Sequence, residues 1–284
     1  MIISIIVKIL VIGDDEMKTM LLSLIILALS ASNINIDVTF PYVRDQKKQS
    51  VHNEGEYLLQ MNMIKKQQKS TKGTVLLTCH ASYPSIVYEQ GQEQHDKIMQ
   101  INQEIKQDAI ERFQAACSEA TDFINEFMGE IGEGNDRNLL PFIIDLSYEM
   151  KWNKEDLISF VYTDYRWLGG AHPDTTKRGF IYDVNKGKKI TPIDLLTISE
   201  KEIKQFIYDE MRENYQRSPE AYFKEEIEGL KTLDFKYEYY LDQEGLVFFF
   251  NTYEVAPYAT GIVSIPFKYK DHSVSFRDSE LFKN

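Results

Sequence analysis

Ile98, Ile101, Ile105, Ala109, Phe113, Ala116, Ala120, Phe123 and Phe127 recur at three- and four-residue spacing, which places them on one face of a single long helix. The opposite face is Gln, Glu, Lys and Asp. A helix with so long an apolar stripe must lay it against another layer, and the flanking segments read as strands. Asn35 to Val43 alternates apolar and polar residues and reads as a first strand. Arg44 to Lys72 reads as loop, strand and loop around an apolar centre at Tyr57 to Ile64. Thr74 to Tyr83 reads as a strand opened by Gly73 and closed by Pro84. Leu139 to Trp152 and Leu157 to Tyr165 form a hairpin across Asn153-Lys154-Glu155-Asp156.

Beyond a bend at Gly169-Gly170, the chain resumes as a strand from Gly179 to Val184, turns at Asn185-Lys186-Gly187 and returns along Lys188 to Thr191. Ser199 or Thr197 caps a helix from Glu200 to about Tyr215, with Ile203, Phe206, Ile207 and Met211 on one face. A short helix begins at Ser218-Pro219. Phe235 to Leu241 and Leu246 to Asn251 pair across Asp242-Gln243-Glu244-Gly245, and Ile262 to Phe267 is the last strand. Runs of strands interrupted by isolated helices define an α+β protein with antiparallel sheets. The Gly-rich, acidic stretch Gly129 to Asn138 reads as a linker. It divides a small α+β module, residues 33–134, from a larger one, residues 135–284.

The formal net charge is -12. Nucleic-acid binders carry a basic stripe to neutralise phosphates, so that class of partner is excluded, while an acidic surface suits a cationic partner. Residues 1–32 read as a signal peptide or an amino-terminal anchor. Met17-Lys18-Thr19-Met20 precedes the apolar run Leu21 to Leu29 and the small residues Ser30, Ala31 and Ser32, which is the layout of a secretory signal. The natural start then reads as Met17. The expectation is a secreted, periplasmic or envelope-exposed protein that meets a membrane only through that segment if it stays uncleaved. Two cysteines, Cys79 and Cys117, permit one disulfide in an exported chain, and two buried free thiols are the equal alternative.

Residues for chemistry are sparse. His52, His80, His95, His172 and His272 never fall at HExxH or HxH spacing, and no GxSxG elbow, P-loop or GxGxxG occurs. Neither an enzyme nor a cofactor is expected. His172 stands between Ala171 and Pro173 in a glycine-bent loop. Without an evident acidic or nucleophilic partner it reads first as a residue that pins the loop, then as a partner contact, and last as a catalyst. Asn251 to Gly261 carries Tyr253, Glu254, Pro257 and Tyr258. Tyrosines on a proline-stiffened backbone make good interface anchors, and a tyrosine corner bracing the sheet is the alternative.

LGGAHP at Leu168 to Pro173, FIYDVNKGKKITPIDLL at Phe180 to Leu196, and GLVFFFNTYEVAPYATG at Gly245 to Gly261 resemble the carboxy-terminal module of RsiV-type anti-sigma factors. That module also accompanies PdaC-type deacetylases. Ala81-Ser82-Tyr83-Pro84, Ile101-Asn102 and the long helix are similar to the smaller module that precedes it. The resemblance spans roughly residues 36 to 270. It implies an α+β fold and, from the best understood member, an extracellular part that binds lysozyme. The expected departure is the lack of sigma-binding and deacetylase parts, which leaves an exported, non-catalytic binding module. Its partner would be a lysozyme-like cationic protein, contacted by Tyr253, Glu254, Pro257 and Tyr258 with His172 in support. A cell-wall glycan stacked on Tyr253, Tyr258 and Trp167 is the alternative, and an uncharacterised hydrolase comes third.

Overall fold

A computed structural model describes residues 51–52, 57–88, 94–131, 140–278 and 281–282. The amino-terminal segment, the strand expected at Asn35 to Val43 and most of the expected linker lie outside the described residues. Among the described residues no helix is long and apolar enough to cross a membrane. The main body comprises Gln49–Arg166 and Asp174–Asn284.

Among the described residues, seven strands form one sheet in sequence order: β1 (Val51–His52), β2 (Leu59–Lys69), β3 (Val75–Ile86), β4 (Phe142–Lys154), β5 (Leu157–Trp167), β6 (Asp174–Asp183) and β7 (Lys188–Lys189). The pair β3 and β4 is parallel, because the long helix α1 (His95–Ile131) connects them as a crossover. This sheet thus runs unbroken past residue 134. A second, antiparallel sheet is built from β8 (Glu238–Asp242), β9 (Gly245–Phe250) and β10 (Val263–Lys268), in the order β10-β9-β8. Between the sheets in sequence come α2 (Pro192–Leu195), α3 (Glu200–Arg217) and α4 (Lys224–Gly229), and α5 (Tyr269–His272) follows β10. The architecture is α+β, as expected.

Local chemistry explains several boundaries. Ser199 caps α3 by accepting the Glu202 N–H, while Glu202 accepts from the Ser199 N–H at 2.8 Å, a reciprocal capping box. The β4–β5 hairpin turns on Glu155 and Asp156, both at positive φ (51° and 56°), which is the primed two-residue turn matching the twist of its strands. β3 does not stop at Pro84 but runs to Ile86. Pro84 lies opposite Met61, past Ala81, the last residue of β3 that pairs with β4, so among the described residues one strand neighbours it there. On α1 the buried stripe is Ile98, Ile101, Ile105, Ala109, Phe113, Ala116, Ala120 and Ile124. Phe123, expected on that stripe, is 43% exposed and packs instead edge-on to Phe142 beside Phe127.

The core has two parts, and β5 and β6 belong to both. Ile158, Phe160, Tyr162, Phe180 and Tyr182 face α1 and pack with Ile98, Ile101 and Ile105. The alternate residues Leu157 and Ile181 face away and join Ile203, Ile207, Met211, Leu241, Phe248 and Ile265. Every residue from Leu157 to Tyr162 is therefore buried, the pattern of a strand covered on both faces. The two sheets touch at Gly179, where an added Cβ would overlap the Tyr239 carbonyl oxygen. The Ser159 hydroxyl accepts the Leu241 N–H at 2.9 Å beside it.

Gly179→Ala is expected to lower stability by roughly 2–3 kcal/mol or more, because backbone must move to admit the methyl. Gly129→Ala, on α1 with nothing within 4 Å of the new Cβ, should instead gain about 0.5–1 kcal/mol from helix propensity. Urea denaturation of both variants checks the pair.

Candidate functional site

The segment that follows β9 is folded by contacts with its own backbone and with the core beneath it. Val255 and Ala256 are 2% and 1% exposed and belong to the core that holds α3 and the second sheet. The Val255 carbonyl accepts the Phe223 N–H, and the Thr260 hydroxyl donates to the Ala221 carbonyl at 2.8 Å. The Glu254 carboxylate turns back to accept the Asn251 N–H at 2.6 Å, and the Tyr253 N–H reaches the Ala256 carbonyl.

Asn251 is the anchor of this loop. Its side-chain amide donates to the Lys177 carbonyl at 3.0 Å and accepts the Lys177 N–H at 2.6 Å. An amide thus takes the place of a neighbouring strand on the outer edge of β6. Two residues along the same edge the Gly179 N–H donates to the Glu238 carboxylate, and two further on the Ile181 carbonyl accepts the Ile190 N–H. The exposed edge is thereby closed by Asn251, Glu238 and Ile190, the first of which anchors the loop.

The result is a display of rings. Tyr253 is 53% exposed and sits at φ 69°, in the left-handed region a side chain of its size rarely adopts. Tyr258 is half-buried at the start of a short 3-10 turn after Pro257, and the two rings lie 6.2 Å apart at an angle of 32°. Glu254 is exposed between them in sequence. Tyr253, Glu254, Pro257 and Tyr258 thus occupy one anchored loop.

Trp167 ends β5, and His172 lies in the bend that follows it. Gly169 and Gly170 have positive φ (82° and 98°), which accounts for the bend. His172 is exposed, with Nδ1 2.9 Å from the Pro173 carbonyl.

A polar groove of about 500 Å³ lies between α1 and β6–β7, with Phe180, Tyr182 and Lys189 at its floor and Glu104, Asp108 and Glu111 on its helical wall. Its acids have internal partners: Tyr182 donates to Glu104, Arg112 pairs with Asp108, and Gln107 donates to Glu111. Sequence reading missed Glu238, which adjoins the tyrosine loop. Burial raises its carboxyl above the ordinary range, opposed by the Gly179 N–H, Arg178 and Lys189, and Glu254 adds to the rise. Burial likewise lowers the Lys189 ammonium, although Glu238 and Asp108 oppose this. Cys79 and Cys117 are both buried and free. Among the described residues no three His, Cys, Asp or Glu side chains converge on a common point that would hold a metal ion.

Residues 194–270 match the family model described as "Protein of unknown function (DUF3298)", and residues 69–175 match the one described as "Deacetylase PdaC". The first of these contains the tyrosine loop, and Lys177, to which Asn251 is tied, lies between the two. A crystal structure of a DUF3298-family member from Bacteroides fragilis NCTC 9343 superposes with a TM-score of 0.54 at 14% identity, covering 81% of this chain and 98% of that one. At that identity the likeness speaks for the fold. A DUF3298-family protein from Pseudomonas aeruginosa PAO1 is similar at 12% identity and a TM-score of 0.49, over 77% of this chain and 94% of its own. No curated protein matches.

Asn251→Leu removes both bonds to Lys177 while leaving two backbone groups unmet, and is expected to lower stability by about 1–3 kcal/mol, read from the denaturant midpoint. Glu238→Gln gives a test by pH. The folded carboxyl is raised above its ordinary 4.5, so the unfolded chain ionises first and wild-type stability falls as pH rises from about 4.5 through the folded value. The glutamine variant lacks that loss. Its midpoint relative to wild type should be higher at pH 7 than at pH 4.

Proposed function

We propose that this chain is an exported, non-catalytic binding protein of the bacterial envelope, which captures a lysozyme-like cationic protein through the loop from Asn251 to Gly261. The observation that carries this reading is the anchoring of that loop. Val255 and Ala256 are sunk in the core and Asn251 is tied to β6, so Tyr253 and Tyr258 are held out on a backbone already ordered before any partner arrives. Ordering an interface loop on binding subtracts from affinity, and a preformed one avoids that loss. Large amphipathic rings on such a support are the residues that dominate binding energy at protein interfaces.

Charge supports the same partner. A chain of net charge -12 attracts a basic protein, raising the association rate and its sensitivity to salt. The resemblance to RsiV-type receptors, strongest at LGGAHP and YEVAPYATG, supplies lysozyme as the specific ligand. The family matches at residues 69–175 and 194–270 support two modules of the DUF3298 and PdaC kinds.

Titration of the purified protein with lysozyme is expected to give micromolar or tighter binding that weakens with added salt. Tyr258→Ala should reduce affinity at least tenfold, about 1.4 kcal/mol, with an unchanged denaturation midpoint. Absence of binding at micromolar concentration at both low and moderate salt overturns the reading. Retention on purified cell wall, lost in Tyr258→Ala, would in that event assign the same loop to glycan.

A further inference from the structure

Cys79 and Cys117 are 38 residues apart in sequence and belong to opposed elements, β3 and α1. Both are buried, at 0% and 1% exposure. On β3, Leu77, Cys79 and Ala81 alternate onto one face and all are buried. On α1, Cys117 sits in the stripe between Phe113, Ala116 and Ala120. α1 is tied along β3 by the Asn102–Ile86 bonds, the two thiols lie within hydrogen-bond reach of one another across this layer, and both are free. Thiols that face one another in a single buried layer can close to the ~2 Å of an S–S bond where their Cα atoms lie within about 7 Å.

We propose that Cys79 and Cys117 form a disulfide that staples α1 to β3 when the chain folds against a disulfide oxidant. Lys66 is the register partner of Cys79 on β2. The Cys117 S–H, and secondarily the charge of Lys66, favour the Cys79 thiolate, whereas Cys79 and burial hold the Cys117 proton in place. Once the layer opens, either thiol can ionise and act first, Cys79 among them. With Cys79 first, its thiolate attacks one sulfur of oxidised glutathione, and a glutathione thiolate leaves and takes up the proton that Cys79 lost. Cys117 then loses its proton to solvent and attacks the Cys79 sulfur of the mixed disulfide. The second glutathione leaves as thiolate and is protonated in turn. Two protein thiols are oxidised to one disulfide and one glutathione disulfide is reduced to two thiols. Because both sulfurs are buried, the exchange runs during folding or through local opening and not on the closed native surface. An oxidising compartment, the one in which such bonds persist, suits the export proposed above.

The test refolds the full chain in oxidised glutathione, then alkylates it under denaturing conditions and maps its peptides. Expected are no alkylated cysteines, one peptide pair joining Cys79 to Cys117 within a single chain, and a denaturation midpoint that drops on reduction. The double variant C79A/C117A should show a midpoint indifferent to reductant; if it fails to fold, the thiol count and the peptide map on the wild-type chain decide. Two alkylated thiols after oxidative refolding, disulfides found only between chains, or a midpoint that does not respond to reduction of the bond would each overturn the proposal.

Discussion

The structure depends on the ribbon of β5 and β6, which is covered on both faces. Phe160, Tyr162, Phe180 and Tyr182 turn toward α1, and Leu157 and Ile181 turn toward the second sheet. Phe160 and Phe180 stack at 5.3 Å, with Tyr162 edge-on to both. Each fully buried side chain of this size contributes about 1.5–3 kcal/mol relative to exposure, so these few residues hold both layers to one another. The closeness of the layers at Gly179 and Ser159 follows, since neither residue carries a bulky side chain to hold β8 away.

That central ribbon also settles where a functional loop can stand. β6 would present an open edge beyond its short pairing with β7, and an open edge invites association with other chains. Here the edge is answered by Ile190, Glu238 and Asn251 in succession. The last of these begins the tyrosine loop. The same contact therefore seals the sheet and, with Val255 and Ala256 sunk in the core, fixes the display of Tyr253 and Tyr258.

Asparagine recurs in this role. Asn102 on α1 exchanges two bonds with Ile86 at 2.8 Å each, Asn153 does the same with Tyr57, and Asn251 with Lys177. Each carboxamide reproduces the donor and acceptor of a peptide group, and each partner is far away in sequence. None of these pairings was legible from the chain, because a polar residue gives no periodic signal and its partner is chosen by distance in space. The loop itself was legible, since Pro257 and the tyrosines mark it. Glu238 was not, because its meaning comes from burial against Gly179.

Phe123 shows where periodicity runs out. Helical spacing admits either Phe123 or Ile124 to the stripe, and Ile124 is the one buried, because the sheet beneath α1 leaves Phe123 to the aromatic cluster with Phe127 and Phe142. Pro84 likewise reads locally as a stop, and β3 continues through it because, among the described residues, one strand neighbours it there. The sequence by itself determined the elements and their order: the long helix, the hairpins, a helix capped at Ser199 or Thr197, and the α+β class. These follow from spacing and backbone preference, which act over a few residues. Tertiary structure alone decided that β3 and β4 run parallel, that β5 and β6 are buried on both faces, that Cys79 and Cys117 are buried on the packed elements β3 and α1, and that Asn251 anchors the tyrosine loop. Those outcomes rest on contacts between residues distant in the chain, and local sequence carries no record of which distant surface a residue will meet.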